Sequence, residues 1–324
     1  MLGSQIMQHF RIARHWAQAG YYESAKLKQF EGDLRAAIMA GQLIAVTGPV
    51  GAGKTAMLTR LKKQIRTERK IIVVRSLSVD KPRLTIPYLI NALFLDITGD
   101  PEMKVPNQPE RRERILQDLI RAARKPVALF IDEAHDLHGN TLTGLKRLME
   151  VIAEGDGVLS VVLAGHPRLH NDLRRATMEE IGHRIAKFEF NSIADERREF
   201  LTWLLGQCLA DGVEPESIIE AEAQDYLAEQ FSTPLQFAEH LNRAFTDTYR
   251  MGGDRVTREI VEETISAGFD QLDARLARLG YTPRTLADLT DTRLVEMRRF
   301  LQGKLDAERT EELTVTLRRA GLPI

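Results

Sequence analysis

A parallel three-layer α/β fold followed by an all-helical part is predicted by three observations along the chain. Short apolar runs alternate with helical patterns through the first 190 residues. One such run passes directly into a glycine-rich loop and then an amphipathic helix. From Asp195 to about Leu279 the strand signals stop and only helical periodicity remains. Strands separated by helices pair in parallel, because the intervening helix carries the chain back across the sheet.

The elements follow in order. Residues 1–40 read as helical, with a turn at Tyr21-Tyr22-Glu-Ser before the helix that enters the first strand. That strand is Leu43-Ile-Ala-Val-Thr47, a buried β-rich run, and Lys70-Ile-Ile-Val-Val-Arg75 is the second. A helix over 84–97 leads through a loop from Gly99 to Pro109 into another helix that ends before Pro126. Val127-Ala-Leu-Phe-Ile131 is the third strand. The helix over 140–153 turns Leu142, Leu145, Leu148, Met149 and Ile152 to one face. Gly155-Asp-Gly157 turns the chain into a fourth strand, Leu159-Ser-Val-Val-Leu-Ala164. The fifth, Ile185-Ala-Lys-Phe-Glu-Phe190, alternates as an edge or half-exposed strand does. This gives an N-terminal segment 1–40 packing on the core, an α/β core 41–192, a helical lid 193–279 and a small helical module 280–324.

Chemistry concentrates at residues 48–55, which fit G-x-x-x-x-G-K-[ST], a loop that wraps nucleotide phosphates. Glycines let the backbone approach closely enough for successive N–H groups to point at anionic oxygens. Gly48, Pro49, Val50, Gly51, Ala52, Gly53, Lys54, Thr55 and Ala56 are therefore the candidate nucleotide-binding residues. Lys54 would reach the β- and γ-phosphates of ATP, and the Thr55 hydroxyl would bind Mg²⁺. Met57, Leu58, Leu61 and Ile65 share one face of the following helix, whose positive N-terminus would face the phosphates.

The third strand ends in Asp132-Glu133, where an acid can hold Mg²⁺ together with the loop hydroxyl. Asp132 is assigned to the metal and Glu133 to polarising the attacking water, which is general-base work. The letters Asp132-Glu-Ala-His135 match those of DEAH helicases. The chain is too short for two helicase motor domains, and His135 reads as a local hydrogen-bonding residue.

Size and charge set the outer bounds. A chain of 324 residues accommodates two or three domains. Lys plus Arg number 45 against 46 for Asp plus Glu, a net charge of −1, which excludes a generally polybasic protein and still permits a local basic strip. Cys208 is the only cysteine, so an internal disulfide is excluded, in keeping with a cytoplasmic location. No apolar run approaches the ~20 residues needed to cross a bilayer, and Met1 to Trp16 lack a secretory apolar core. No membrane is expected.

Two further features choose among phosphate-loop classes. The fourth strand ends in Gly165-His166-Pro-Arg168, and Gly182-His-Arg184 directly precedes the fifth. With the trailing helical module, the chain resembles the AAA+ ATPases, a P-loop three-layer core with a parallel five-stranded sheet, then a helical lid. The resemblance puts His166 in the sensor-1 place and Arg184 in that of the arginine finger reaching a neighbour's γ-phosphate. Arg174 and Arg175 compete for the finger role. Val46 to Thr55, Ile131 to Leu137 and Leu163 to Leu169 together resemble the ExeA-like branch, which includes the TnsC- and MuB-type regulators of DNA transposition; the likeness covers roughly residues 25–265. Many AAA+ lids carry a Pro-Arg pair touching the γ-phosphate. Here the corresponding stretch is Ser232-Thr-Pro-Leu-Gln-Phe237, a pattern similar to the transposition members, and Arg243 lies two helical turns on.

What the resemblance implies is an ATP-hydrolysing regulator that oligomerises, as a ring or helical filament, on double-stranded DNA and recruits a transposase and other transposition proteins. Hydrolysis would drive disassembly. DNA contact would fall on phosphates, with Lys81, Arg83, Lys146 and Arg147 as candidates. The alternatives are a secretion-linked or signalling ATPase of the same branch, and an ATP-binding DNA scaffold with negligible turnover. In the tail, Leu294, Met297, Phe300 and Leu301 form one apolar face and Leu313, Leu317 and Leu322 another. Asp291 or Thr292 is the expected N-cap, Gly303 the break and Gly321-Leu-Pro323 the stop. Arg298, Arg299, Arg318 and Arg319 either contact DNA or form the solvated face of a docking module.

Overall fold

The computed structural model describes residues 2–75, 84–100, 102–134, 137–167, 169, 173, 185–193, 195–266, 272–278, 280–319 and 322. The chain divides into two compact units, one of Ala25–Gly48 with Lys54–Phe190, the other of Met1–Ser24, Pro49–Gly53 and Asn191–Ile324.

The first unit is built on five parallel strands, β1 (Leu43–Thr47), β2 (Ile72–Arg75), β3 (Val127–Ile131), β4 (Leu159–Gly165) and β5 (Ala186–Glu189), in the order β2-β3-β4-β1-β5. Every residue of β1, β3 and β4 is buried, which is why these strands read as continuous apolar runs. β5 closes one edge and alternates between half-buried and exposed positions, as expected of it. β2 begins two residues later than predicted. Arg69 takes a left-handed φ of 55° to end the preceding helix, so Lys70 and Ile71 are spent on the turn. Helices Ala25–Met39, Lys54–Glu68, Ile86–Thr98, Pro109–Ala123 and Gly139–Glu154 supply the outer layers. On the β5 side, Phe30 meets Phe188 and Phe190 edge-on at 5.6 and 5.3 Å.

The second unit holds two apolar cores. One gathers Phe200, Leu204, Phe237, Leu241 and Phe245 with Phe10 and Trp16 from the N-terminus. The expected N-terminal segment 1–40 is thus divided. Its first 24 residues belong to the helical unit, because Phe10 and Trp16 pack on Phe245 at 4.9 and 5.8 Å. The Ala13 N–H also donates to the Cys208 carbonyl at 2.8 Å. Ala25–Met39 belongs to the α/β unit instead. The Tyr22 hydroxyl donates to Glu196 at 3.2 Å, and burial, then that carboxylate, push its pKa up to about 12.

The other core joins Leu286, Met297, Phe300 and Leu317 of the tail, whose helices are Pro283–Thr290, Leu294–Leu301 and Ala307–Arg319. The N-cap of Leu294–Leu301 is Arg293 rather than Asp291 or Thr292. Asp291 instead ends the preceding helix at φ 52°, and the Thr292 N–H donates to the Ala287 carbonyl. Gly321, Pro323 and the side chains of Arg318 and Arg319 lie outside the described residues. Among the described residues no helix is long and apolar enough to cross a membrane.

Cys208 is fully buried, and burial pushes its thiol pKa up to about 11. At neutral pH it is therefore protonated and shielded, and a thiolate-selective reagent should label it only as the helical unit opens. Labelling rate against urea concentration tests this; rapid modification of the native protein is the contrary outcome.

Candidate nucleotide-binding site

The phosphate loop begins where β1 ends, between the ends of β4 and β5. Thr47 pairs with Gly165 on one side and Glu189 on the other. The Gly48 N–H donates to the Gly165 carbonyl at 3.3 Å, and a Cβ at Gly48 would lie 2.1 Å from the Phe190 carbonyl oxygen. No side chain fits there. Gly51 and Gly53 adopt φ of 79° and 92°, a region that costs other residues about 1–2 kcal/mol.

Two carbonyls of the loop are held from sequence-distant residues. The Ser192 hydroxyl donates to the Ala52 carbonyl at 2.6 Å, and the Leu235 N–H donates to the Gly51 carbonyl at 3.4 Å. Ser192 carries no signal in the sequence. Leu235 sits in the singled-out Thr-Pro-Leu-Gln stretch, but it acts through its backbone. A capping box holds that backbone. The Thr233 hydroxyl accepts from the Gln236 N–H at 3.4 Å, and the Gln236 side chain accepts from the Thr233 N–H at 3.1 Å.

Lys54 opens the helix Lys54–Glu68, is buried, and donates from Nζ to the Gly48 carbonyl at 2.7 Å. Burial lowers its pKa from the ordinary lysine value, while the charges of Glu133 and Asp132 act the other way. Burial thus disfavours the ammonium, and phosphate oxygens beside it would favour it.

Beside it, the Thr55 hydroxyl donates to Asp132 Oδ2 at 3.0 Å. The other Asp132 oxygen accepts the Glu133 N–H at 3.0 Å, so both carboxylate oxygens are fixed. Glu133 has a φ of 54°, a left-handed backbone that turns its side chain off the line of the strand. Its Oε2 lies 3.7 Å from His166 Nε2, in position for an ion pair when the imidazole is protonated. Lys54, Thr55, Asp132, Glu133 and His166 are brought together as the sequence grouping requires. A hydroxyl and a carboxylate 3.0 Å apart, beside a buried ammonium and a glycine cradle, fit a nucleotide triphosphate with Mg²⁺.

The remaining candidates fall elsewhere. Arg184, Arg174, Arg175, Lys81, Arg83 and His135 lie outside the described residues. Lys146 is largely covered and stands 3.5 Å from Glu150, whereas Arg147 is exposed. Arg243 lines a cavity of about 290 Å³ with Asp247, Met251, Ile260, Glu263 and Thr264 inside the helical unit.

The fold is a P-loop AAA+ fold, with the expected five-stranded parallel sheet and helical C-terminal part. Residues 38–173 match the family model described as AAA domain. General secretion pathway protein A of Aeromonas hydrophila is 30% identical over 152 residues, in keeping with the ExeA-like part of the expected resemblance. That match covers 45% of this chain and 26% of that protein, so the chain spans about a quarter of the relative's length. Among solved structures, the ORC2 protein of Aeropyrum pernix in ADPNP–ADP complexes has a TM-score of 0.55 at 15% identity, covering 98% of this chain and 90% of that one. Cdc6p from Pyrobaculum aerophilum has a TM-score of 0.53 at 14% identity, covering 96% and 91%. At such identities the likeness is one of fold.

Gly48→Ala should cost nucleotide affinity at least tenfold, because the new Cβ must displace either the loop or the end of β5. Titration with a fluorescent ATP analogue reads this directly. Binding at the parental affinity would show that the cradle at Gly48 is not where phosphates sit.

Proposed function

We propose that the protein is an ATP-hydrolysing, DNA-binding AAA+ regulator of DNA transposition that assembles on duplex DNA and disassembles on hydrolysis. The observation that carries the ATPase part is the cluster in which Thr55 touches Asp132 while Glu133 faces His166 beside the buried Lys54. Lys54 and the loop N–H groups bind phosphate oxygens. Thr55 and Asp132 would hold Mg²⁺, which would supply charge neutralisation at the phosphates. Glu133 orients the attacking water and accepts its proton, and His166 fixes the Glu133 carboxylate. Arg184 is the residue assigned to complete the site of a neighbouring copy, making ATP the joint between subunits.

DNA as the partner is supported by a structural neighbour. Drosophila ORC bound to DNA has a TM-score of 0.52 at 13% identity, covering 97% of this chain and 82% of that one. The transposition reading rests on the lid sequence Thr233-Pro-Leu-Gln236, where a Pro-Arg pair would otherwise stand. A transposase is then the protein partner. A second reading, a secretion-linked ATPase, is favoured by the similarity to General secretion pathway protein A. Duplex DNA separates the two, since only the first requires ATP-dependent binding to it.

Glu133→Gln should retain ATP binding and DNA-bound assembly while phosphate release falls by roughly 10²–10⁴-fold, the usual worth of a positioned general base. Phosphate release and DNA anisotropy on the same preparation measure both halves. Parental turnover in this variant removes Glu133 from the base role; failure of the unaltered protein to bind duplex DNA with ATP favours the secretion reading.

A further inference from the structure

The helix that starts at Lys54 carries phosphate-site residues at its N-terminal end and a different chemistry farther along. Its exposed side and the turn beyond it border an open groove of about 520 Å³ lined by Lys62, Lys63, Arg66, Arg69 and Arg75. Thr59 and Thr67 line the same surface, and among the described residues no acidic side chain lines it. In a chain whose net charge is −1, five cations on one groove are a marked local excess. Glu68, the acid nearest in sequence, is engaged by Arg35 at 2.7 Å. Asp96 accepts the Arg75 backbone N–H at 3.0 Å, leaving the guanidinium outside that bond.

Arg66 reaches the Val73 carbonyl at 3.5 Å, and Lys62 Nζ stands 5.7 Å from the centre of the Phe130 ring. These contacts tie Arg66 to β2 and set Lys62 beside β3. Thr59 to Thr67 extends about 12 Å along the helix axis at 1.5 Å per residue. That is the axial length of about three to four phosphates on one strand of B-form DNA.

We propose that this groove is a phosphate-backbone contact surface for duplex DNA, formed on the same helix whose N-terminus meets the nucleotide. It rests on the DNA-binding reading above and adds a surface to it distinct from Lys81, Arg83, Lys146 and Arg147. Five cations along one groove suit closely spaced phosphates. Contact is sequence-independent, because every partner is a phosphate oxygen.

The test uses the full chain with a slowly hydrolysed ATP analogue and a fluorescent duplex, titrated across a salt series. Substituting Lys63, Arg66, Arg69 and Arg75 together by alanine should weaken binding and flatten the log–log salt dependence by about 3–4, at ~0.9 per lost phosphate contact. Lys63→Glu with Arg69→Glu, both exposed, should act in the same direction with little risk to the fold. ATP affinity without DNA should stay parental in both variants. Duplex binding with unchanged affinity and slope overturns the groove assignment alone. So does normal DNA binding with loss of ATP-dependent assembly, which would give the groove to a second copy. No duplex binding by the unaltered protein overturns the functional reading and the groove with it.

Discussion

Gly48 is squeezed between two strand ends, its N–H bonded to Gly165 and the space for a Cβ filled by the Phe190 carbonyl. That crowding exists because β1 runs between β4 and β5 in a parallel sheet, so three strands finish on the same side. The phosphate loop is the continuation of the middle strand of the three. The candidate site among the described residues is arranged around the same sheet end. Lys54 and Thr55 begin the helix after the loop, Asp132 follows β3, and His166 follows β4. A sheet with a different order would still bury its apolar strands, but it would scatter these side chains.

Electrostatics then divides the work among residues of like type. Asp132 has both oxygens committed, one to Thr55 and one to the Glu133 amide, so it is suited to holding a cation rather than moving a proton. Glu133 is half-exposed with His166 alongside, and its left-handed backbone places it apart from its neighbour. Two adjacent acids thereby acquire different surroundings, the circumstance in which one carboxylate can serve as ligand and the other as base. Lys54 is destabilised as a cation by burial and relieved by anions.

Much of this was legible in the sequence because burial and periodicity leave plain traces. β1 and β3 match their predicted limits, as fully buried strands are uniform apolar runs bounded by polar turns. The loop, Asp132 and Glu133 were legible because their chemistry demands particular residues at fixed spacing. Strand order was not, since periodicity records which face is buried and not which strand lies alongside. Nor was the division of the N-terminus at Ser24, because helices packing on either unit carry similar apolar stripes. The tail cap was misplaced by one or two residues because Asp291, a good N-cap type, also tolerates the left-handed backbone and ends the preceding helix instead. Ser192 left no trace, as one hydroxyl in a polar turn has no pattern.

The carbonyl anchors at Ala52 and Gly51 have a consequence for how tightly the loop can bind. A backbone that offers its N–H groups to an anion must turn its oxygens the other way. Ser192 and Leu235 occupy those oxygens without any ligand. Two of the loop's carbonyls are therefore already bonded within the folded chain, which would reduce the ordering a bound anion must impose. Loosening either anchor would free a loop carbonyl without altering a loop residue.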